Sequence, residues 1–376
     1  MKKLLLIPLC ILLCSCSLFS PKGIETSKKE VLEQLTRSND YLMKRWPDPG
    51  VNVITNRERP SNLWTRGTYY TGLMALYSID PQDKYYQYAV DWGESHEWNM
   101  RDGINRNANT HCAGQTYIDL YEIDPKPERI AKIKEALDIM VNSEKKDDWW
   151  WIDAFFMAMP TFTKLGLVEE DEKYFQKMYD LYLFTKESHG GDGLYNEVDG
   201  LWWRDENFKP PFKTPGGKDC YWSRGNGWVI AALARVLEIL PEDAVGYEDY
   251  LTDYMEMAEA LASRQRKDGF WNVSLDDPED FGGKESSGTS FFVYGMAWGI
   301  NKGLLPKKEY ISVVNKGWQA LIKEAVHPDG SIGYVQATGD KPSDGQPVTY
   351  DSKPDFEDYT IGAFLLAGSE VYHLAK

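Results

Sequence analysis

Trp149-Trp150-Trp151-Ile152-Asp153 places an acid behind three indoles, at the start of the apolar run Ala154-Phe155-Phe156-Met157-Ala158-Met159. Indole faces suit the flat, C–H-rich side of a sugar ring. A carboxyl group hemmed in by aromatics loses solvation, so its neutral form is favoured and it can act as a general acid. A second aromatic cluster, Tyr221-Trp222-Ser223-Arg224-Gly225-Asn226-Gly227-Trp228, adds a guanidinium able to grip a carboxylate through two parallel hydrogen bonds. The two clusters together describe a pocket for an acidic sugar. The plain alternatives are a helix-capping role for Asp153 and a structural ion pair for Arg224.

Smaller constellations surround these two. Asn109-Thr110-His111 opens a helical stretch, and the lone His is as readily structural as ligand-binding. Trp64-Thr65-Arg66 leads another helix and is expected to add a pocket wall. Leu201-Trp202-Trp203-Arg204-Asp205 lies in the longest connection, where a lid over the substrate is expected, with Trp203 and Arg204 as binding residues. Phe356-Glu357-Asp358-Tyr359 is either a cap or part of the site. There is no phosphate-cradling glycine loop, no Gly-x-Ser-x-Gly elbow and no His-Glu-x-x-His motif. Five His, each isolated, make no metal site, so neither metal nor cofactor is expected.

The elements that position these residues read as helices. Helical stretches fall at about 28–45, 66–79, 83–97, 110–122, 127–143, 152–165, 170–187, 223–240, 247–266, 288–301, 307–325 and 357–374. Those at 83–97, 127–143, 170–187 and 247–266 carry charge at amphipathic spacing, as outer helices do. Those at 66–79, 110–122, 152–165, 223–240, 288–301 and 357–374 are rich in Gly, Ala and aromatics, as inner helices are. The alternation predicts an all-α fold, an α/α barrel of six helical hairpins, forming one domain over 29–376. Long connections precede several inner helices, and their Asp-Gly pairs mark turns or short hairpins.

Composition narrows the partners. A formal charge of −16 argues against nucleic acid, which calls for a basic surface. It leaves room for an anionic sugar held by a few local cations. Lys2-Lys3 and the short apolar stretch Leu4 to Leu13 predict a signal peptide over 1–15. Leu13-Cys14-Ser15-Cys16 has the form of a bacterial lipobox, with Cys16 lipidated and 16–28 as a tether, which predicts a periplasm-facing lipoprotein of the cell envelope. The membrane enters only through that anchor. Cys112 and Cys220 lie outside this segment and are able to pair in an oxidising compartment, without forming a disulfide framework. Whether the chain is monomer or dimer stays open.

Residues 150–160 (Trp-Trp-Ile-Asp-Ala-Phe-Phe-Met-Ala-Met-Pro), 111–121 (His-Cys-Ala-Gly-Gln-Thr-Tyr-Ile-Asp-Leu-Tyr) and 221–228 (Tyr-Trp-Ser-Arg-Gly-Asn-Gly-Trp) resemble glycoside hydrolase family 105, the unsaturated rhamnogalacturonyl hydrolases. These are related to the unsaturated glucuronyl hydrolases of family 88. The resemblance implies an α/α barrel that removes 4,5-unsaturated uronic acids from the ends of lyase-generated oligosaccharides. It implies protonation at C4 of the enol ether and water addition at C5, with no second carboxylate at glycosidase spacing. Carried onto this chain, Asp153 is the acid, Arg224 grips the uronate carboxylate, and Trp151, Trp222 and Trp228 line the sugar site. One departure is plain: members often carry an acid just before the position of His111, where Ala108-Asn109-Thr110 stand here. The Trp202-Trp203-Arg204-Asp205 segment also differs from the His-containing loop of the founding enzymes, which leaves ulvan-type fragments open beside pectin-derived ones. The rival readings are an α/α-barrel glycosidase or lyase on saturated uronides, and a non-catalytic glycan-binding lipoprotein.

Overall fold

The computed structural model describes residues 23–54, 58–352 and 358–376; the signal, the lipobox at Cys16, Phe356 and Glu357 lie outside them. Twelve α-helices are seen among the described residues: α1 (Lys28–Arg45), α2 (Trp64–Ile79), α3 (Asp83–Ser95), α4 (Ala108–Ile123), α5 (Glu128–Val141), α6 (Asp153–Glu169), α7 (Lys173–Glu187), α8 (Ser223–Leu237), α9 (Tyr247–Ser263), α10 (Ser286–Lys302), α11 (Lys307–Ala320) and α12 (Asp358–Leu374). Each falls where the apolar spacing places it, to within a few residues. The exception is the end of α11, where Leu321–Ala325 widens into a π turn.

The even-numbered helices pack in sequence, α2 on α4, α4 on α6, α6 on α8, α8 on α10 and α10 on α12, and α12 returns to α2. That closed ring is the inner layer of an α/α barrel. The odd-numbered helices back it, α3 on α2, α5 on α4, α7 on α6, α9 on α8, α11 on α10 and α1 on α12. Outer helix α1 shows how one face is chosen: Val31, Leu35 and Leu42 are buried while Lys29, Glu33 and Lys44 are not. Its start is fixed by a capping box between Ser27 and Glu30. Inner α10 is buried on all sides from Ser286 to Ile300, as a helix flanked by neighbours must be. The ring closes at its tightest between α2 and α12, where Gly72 and Gly362 meet backbone to backbone and a Cβ on either would collide with the partner helix.

Short strands occur only in the connections of the described residues. β1 (Val53–Ile54) pairs antiparallel with β2 (Glu58–Arg59), and β3 (Tyr195–Asn196) with β4 (Leu201–Trp202). The second hairpin turns through Asp199-Gly200, with Gly200 at φ +63°, as the Asp-Gly signal predicts. Cys112 and Cys220 are separate buried thiols and do not pair. Among the described residues no helix is long and apolar enough to cross a membrane.

Candidate active site

Asp153 is the first residue of α6, and its side chain is 12% exposed. The segment before it is extended rather than helical: Trp151 bridges antiparallel to Asp205, and Ile152 N–H donates to the Arg204 carbonyl at 3.0 Å. Trp149 and Trp151 are buried, while Trp150 stands 47% exposed. Trp149 packs edge-on against Phe155 and Phe162 in the core. Trp151 supports Trp150 from beneath, with ring centroids 4.6 Å apart. Trp150, not Trp151, thus presents an open indole face beside the acid.

The same bridge delivers Arg204. Its Nε donates to Asp153 Oδ2 at 3.2 Å, Nη1 to Asp205 Oδ2 at 2.7 Å, and Nη2 reaches Asp340 Oδ1 at 2.8 Å. Its guanidinium carbon lies 5.5 Å from the Trp150 ring centre. One cation thus faces three carboxylates, and they are not equivalent. Asp205 also accepts from the Asn207 backbone and side-chain N–H groups, which fix its position. Asp340 is 61% exposed to water. Asp153 is buried, and burial lifts its carboxyl above the ordinary aspartate range, Asp340 adding in the same direction and Arg204 and Arg224 opposing. That burial suits Asp153 to proton transfer.

Arg224, in the first turn of α8, is fully buried. Its Nη1 donates to the Gln336 carbonyl at 2.7 Å and to the Tyr359 hydroxyl at 3.3 Å, and its Nη2 to the Ala337 carbonyl at 2.8 Å. Its guanidinium lies over Trp222, 4.5 Å from the ring centre. No carboxylate of the described residues pairs with it. Trp222 Nε1 donates to Gln336 Oε1 at 2.8 Å, while the Gln336 amide nitrogen donates to the carbonyls of Lys341, Pro342 and Asp344. The 336–344 loop is therefore wound around one buried glutamine, clamped by Arg224 and Trp222, and it ends by presenting Asp340 to Arg204.

Trp64, half-buried at the start of α2, meets Trp228 edge-on at 5.9 Å and Tyr359 at 5.6 Å. Trp228 itself is buried among Trp64, Phe156, Phe291 and Tyr359. The first turns of α2, α6, α8 and α12 thus converge on one end of the barrel. Arg66 does not join them: it is buried, with Nε donating to Asp358 Oδ2 at 2.9 Å, and its guanidinium lies over Trp46. His111 is also fully buried, with Nε2 against the Asn105 carbonyl at 2.8 Å. Burial pushes its pKa down to about 4, so the ring is neutral. Asn109, in the first turn of α4, is half-buried, and its side-chain amide has no hydrogen-bond partner among the described residues.

The segment expected as a lid divides between core and site. Trp202 is fully buried against Phe155, Tyr182 and Tyr195, so it is core, and only Trp203, tilted 29° from Tyr221 at 5.9 Å, stays half-buried. Two features escaped sequence reasoning. Asp340 and Gln336 sit in a connection without periodicity. Trp150 was hidden among its identical neighbours. Among the described residues no group of three or more His, Cys, Asp or Glu is arranged to hold a metal ion.

Comparison with known proteins agrees with this architecture. Residues 34–375 match the model of Glycosyl Hydrolase Family 88. The unsaturated 3S-rhamnoglycuronyl hydrolase of Formosa agariphila is 32% identical over 335 residues, 83% of this chain and 85% of that one. The structure of a glycosyl hydrolase family 88 protein from Bacteroides vulgatus superimposes with a TM-score of 0.84 at 33% identity, covering 93% of this chain and all of the other. A structure described as a polysaccharide lyase superimposes with a TM-score of 0.83 at 32% identity, covering 93% and 98%. With the family model spanning nearly the whole barrel and the acid seated at its mouth, the chain belongs to glycosyl hydrolase family 88.

Proposed function

We propose that the protein removes a 4,5-unsaturated uronic acid from the non-reducing end of lyase-generated oligosaccharides of ulvan or rhamnogalacturonan type. The observation that carries this reading is Asp153: a buried carboxyl whose pKa burial raises, paired with the Arg204 guanidinium that also lies over the exposed Trp150 ring. Asp153 gives its proton to C4, and the C4=C5 electron pair forms the new C–H bond. Water adds at the electron-poor C5 and returns a proton to the Asp153 carboxylate. The hemiketal so formed opens by breaking C5–O5, and C1, now a hemiacetal, releases the rest of the chain. Trp150 offers the sugar a platform; Trp64, Trp151, Trp203, Trp222 and Trp228 shape the wall around it. Arg204 and Arg224 supply the positive charge that an anionic sugar needs, and Asn109 offers a free amide to a hydroxyl or to the attacking water. Arg66 and His111 support the site from behind through Asp358 and Asn105.

The name of the Formosa relative directs the choice of test substrate to uronyl–rhamnose fragments. An unsaturated uronate absorbs in the ultraviolet because its double bond is conjugated with the carboxylate. The expected result is loss of that absorbance when the protein is added, in the presence of chelator. Unchanged absorbance across unsaturated rhamnogalacturonan and ulvan fragments would refute the reading. A second reading, a lyase on saturated uronides, is favoured by the lyase description of one close structural neighbour; it requires absorbance to rise on intact polysaccharide. For location, we propose a lipoprotein anchored through Cys16 and facing the periplasm. Globomycin-sensitive processing with acyl labelling supports this, and an unlabelled mature chain rejects it.

A further inference from the structure

We propose that Arg204, not Arg224, is the ligand of the substrate carboxylate, and that Asp340 holds its place until substrate arrives. This deepens the reading above and rests on it. The chemistry sets a distance requirement. The carboxyl carbon is bonded to C5, and C5 to C4, so a cation gripping that carboxylate must lie within a few ångströms of the acid that protonates C4. Arg204 meets the requirement, with Nε 3.2 Å from Asp153 Oδ2. Arg224 makes no ion pair with Asp153, and both its terminal nitrogens already donate to the backbone carbonyls of Gln336 and Ala337. Gripping a substrate with Arg224 would unclamp the loop: the Ala337 carbonyl would lose its donor, and the Gln336 carbonyl would keep only the Tyr359 hydroxyl.

The three carboxylates around Arg204 differ in how easily they leave. Asp153 is the acid itself. Asp205 is buried and fixed by Asn207. Asp340 is 61% exposed, comes from a surface loop, and touches the outermost nitrogen, Nη2. A uronate that displaces Asp340 exchanges one carboxylate for another on the same guanidinium, so the buried cation is never left unpaired. Released, the Asp340 carboxylate returns to water at little cost, being mostly hydrated already. Arg224 then acts through the loop: by holding Gln336 and Ala337 it sets where Asp340 stands.

The test compares wild type, Asp340→Asn and Arg204→Gln on an unsaturated uronyl–rhamnose disaccharide and on its uronate methyl ester. Asp340→Asn removes an internal competitor, so KM for the free acid should fall about three- to tenfold, while KM for the methyl ester stays near the wild-type value. Arg204→Gln should raise KM for the acid at least tenfold and abolish the preference for acid over ester. An unchanged or higher KM in Asp340→Asn, or an intact preference in Arg204→Gln, would overturn the assignment. If wild type consumes neither compound, the hydrolase reading fails, and titration calorimetry of the acid and ester against the same three proteins still decides the carboxylate ligand by the same preferences.

Discussion

Asn226 clasps the backbone of Trp202 from both sides: its Oδ1 accepts from Trp202 N–H at 2.9 Å, and its Nδ2 donates to the Trp202 carbonyl at 3.0 Å. Asn226 lies one turn into α8, next to Gly225 and Gly227, so the helix that carries Arg224 also fixes the strand that ends two residues before Arg204. The two cations of the site are thereby registered to each other through one amide. Asn226→Ala should cost about 1–3 kcal/mol, because it leaves buried peptide groups without partners. Arg204 would also drift from Asp153, and displacements of this size are costly in catalysis. The expected outcome is a lower melting temperature and a kcat/KM reduced at least about tenfold at a temperature where the variant is folded. Wild-type kcat/KM in a destabilised variant would show that Asn226 only braces the core.

Asp153→Asn keeps the shape and the hydrogen bond to Arg204 but removes the transferable proton. Rate should fall by about two to four decades, the usual contribution of acid–base catalysis, with circular dichroism unchanged. Near-wild-type turnover would remove Asp153 from the mechanism.

The ring of helices was legible because burial alternates along the chain. Outer helices such as α5 carry most of their charges outside the buried face, whereas α10 has none inside its buried span, and that contrast survives in composition alone. The acid was legible for a similar reason, since three indoles before Asp153 exceed what a helix start needs. The surroundings of the acid were not. Trp149, Trp150 and Trp151 are identical in type, and only the packing around them separates the two buried rings from the exposed one. Arg224 reads in sequence as a carboxylate fork, and nothing there tells that Gln336 and Ala337, more than a hundred residues on, offer it carbonyls. Arg66 looked like a pocket wall until Asp358, near the other end of the chain, proved to be its partner.

His111 makes acid sensitivity measurable. Its neutral ring is buried, and its pKa falls from the usual 6.5 to about 4 in the folded protein. A depressed folded value means that the unfolded chain binds the proton more readily. The stability it confers is complete above pH 6.5 and is lost as pH falls toward about 4. At about 1.4 kcal/mol per unit, the loss across that window approaches 3 kcal/mol. In His111→Gln, urea unfolding between pH 7 and 4.5 should show a shallower decline than wild type. Parallel curves would place the acid sensitivity elsewhere.

The pH profile of turnover should report the charges around Asp153, each with its own sign. A general acid works while protonated, so kcat/KM should fall as pH rises through the raised pKa of Asp153, and that profile describes the free enzyme. Burial is the leading cause of the rise; Arg204 and Arg224 oppose it and Asp340 reinforces it. Arg204→Gln removes an opposing charge, so its alkaline limb should move to higher pH, even though activity at every pH is lower. Asp340→Asn removes a reinforcing charge and frees Arg204 to pair more fully with Asp153, so its limb should move to lower pH. The second shift should be the smaller, because Asp340 is largely hydrated and its field is screened by water. A weak salt bridge with no part in the chemistry would leave both limbs where wild type has them. Shifts of opposite sign on one limb would tie Asp153, Arg204 and Asp340 into a single titrating unit.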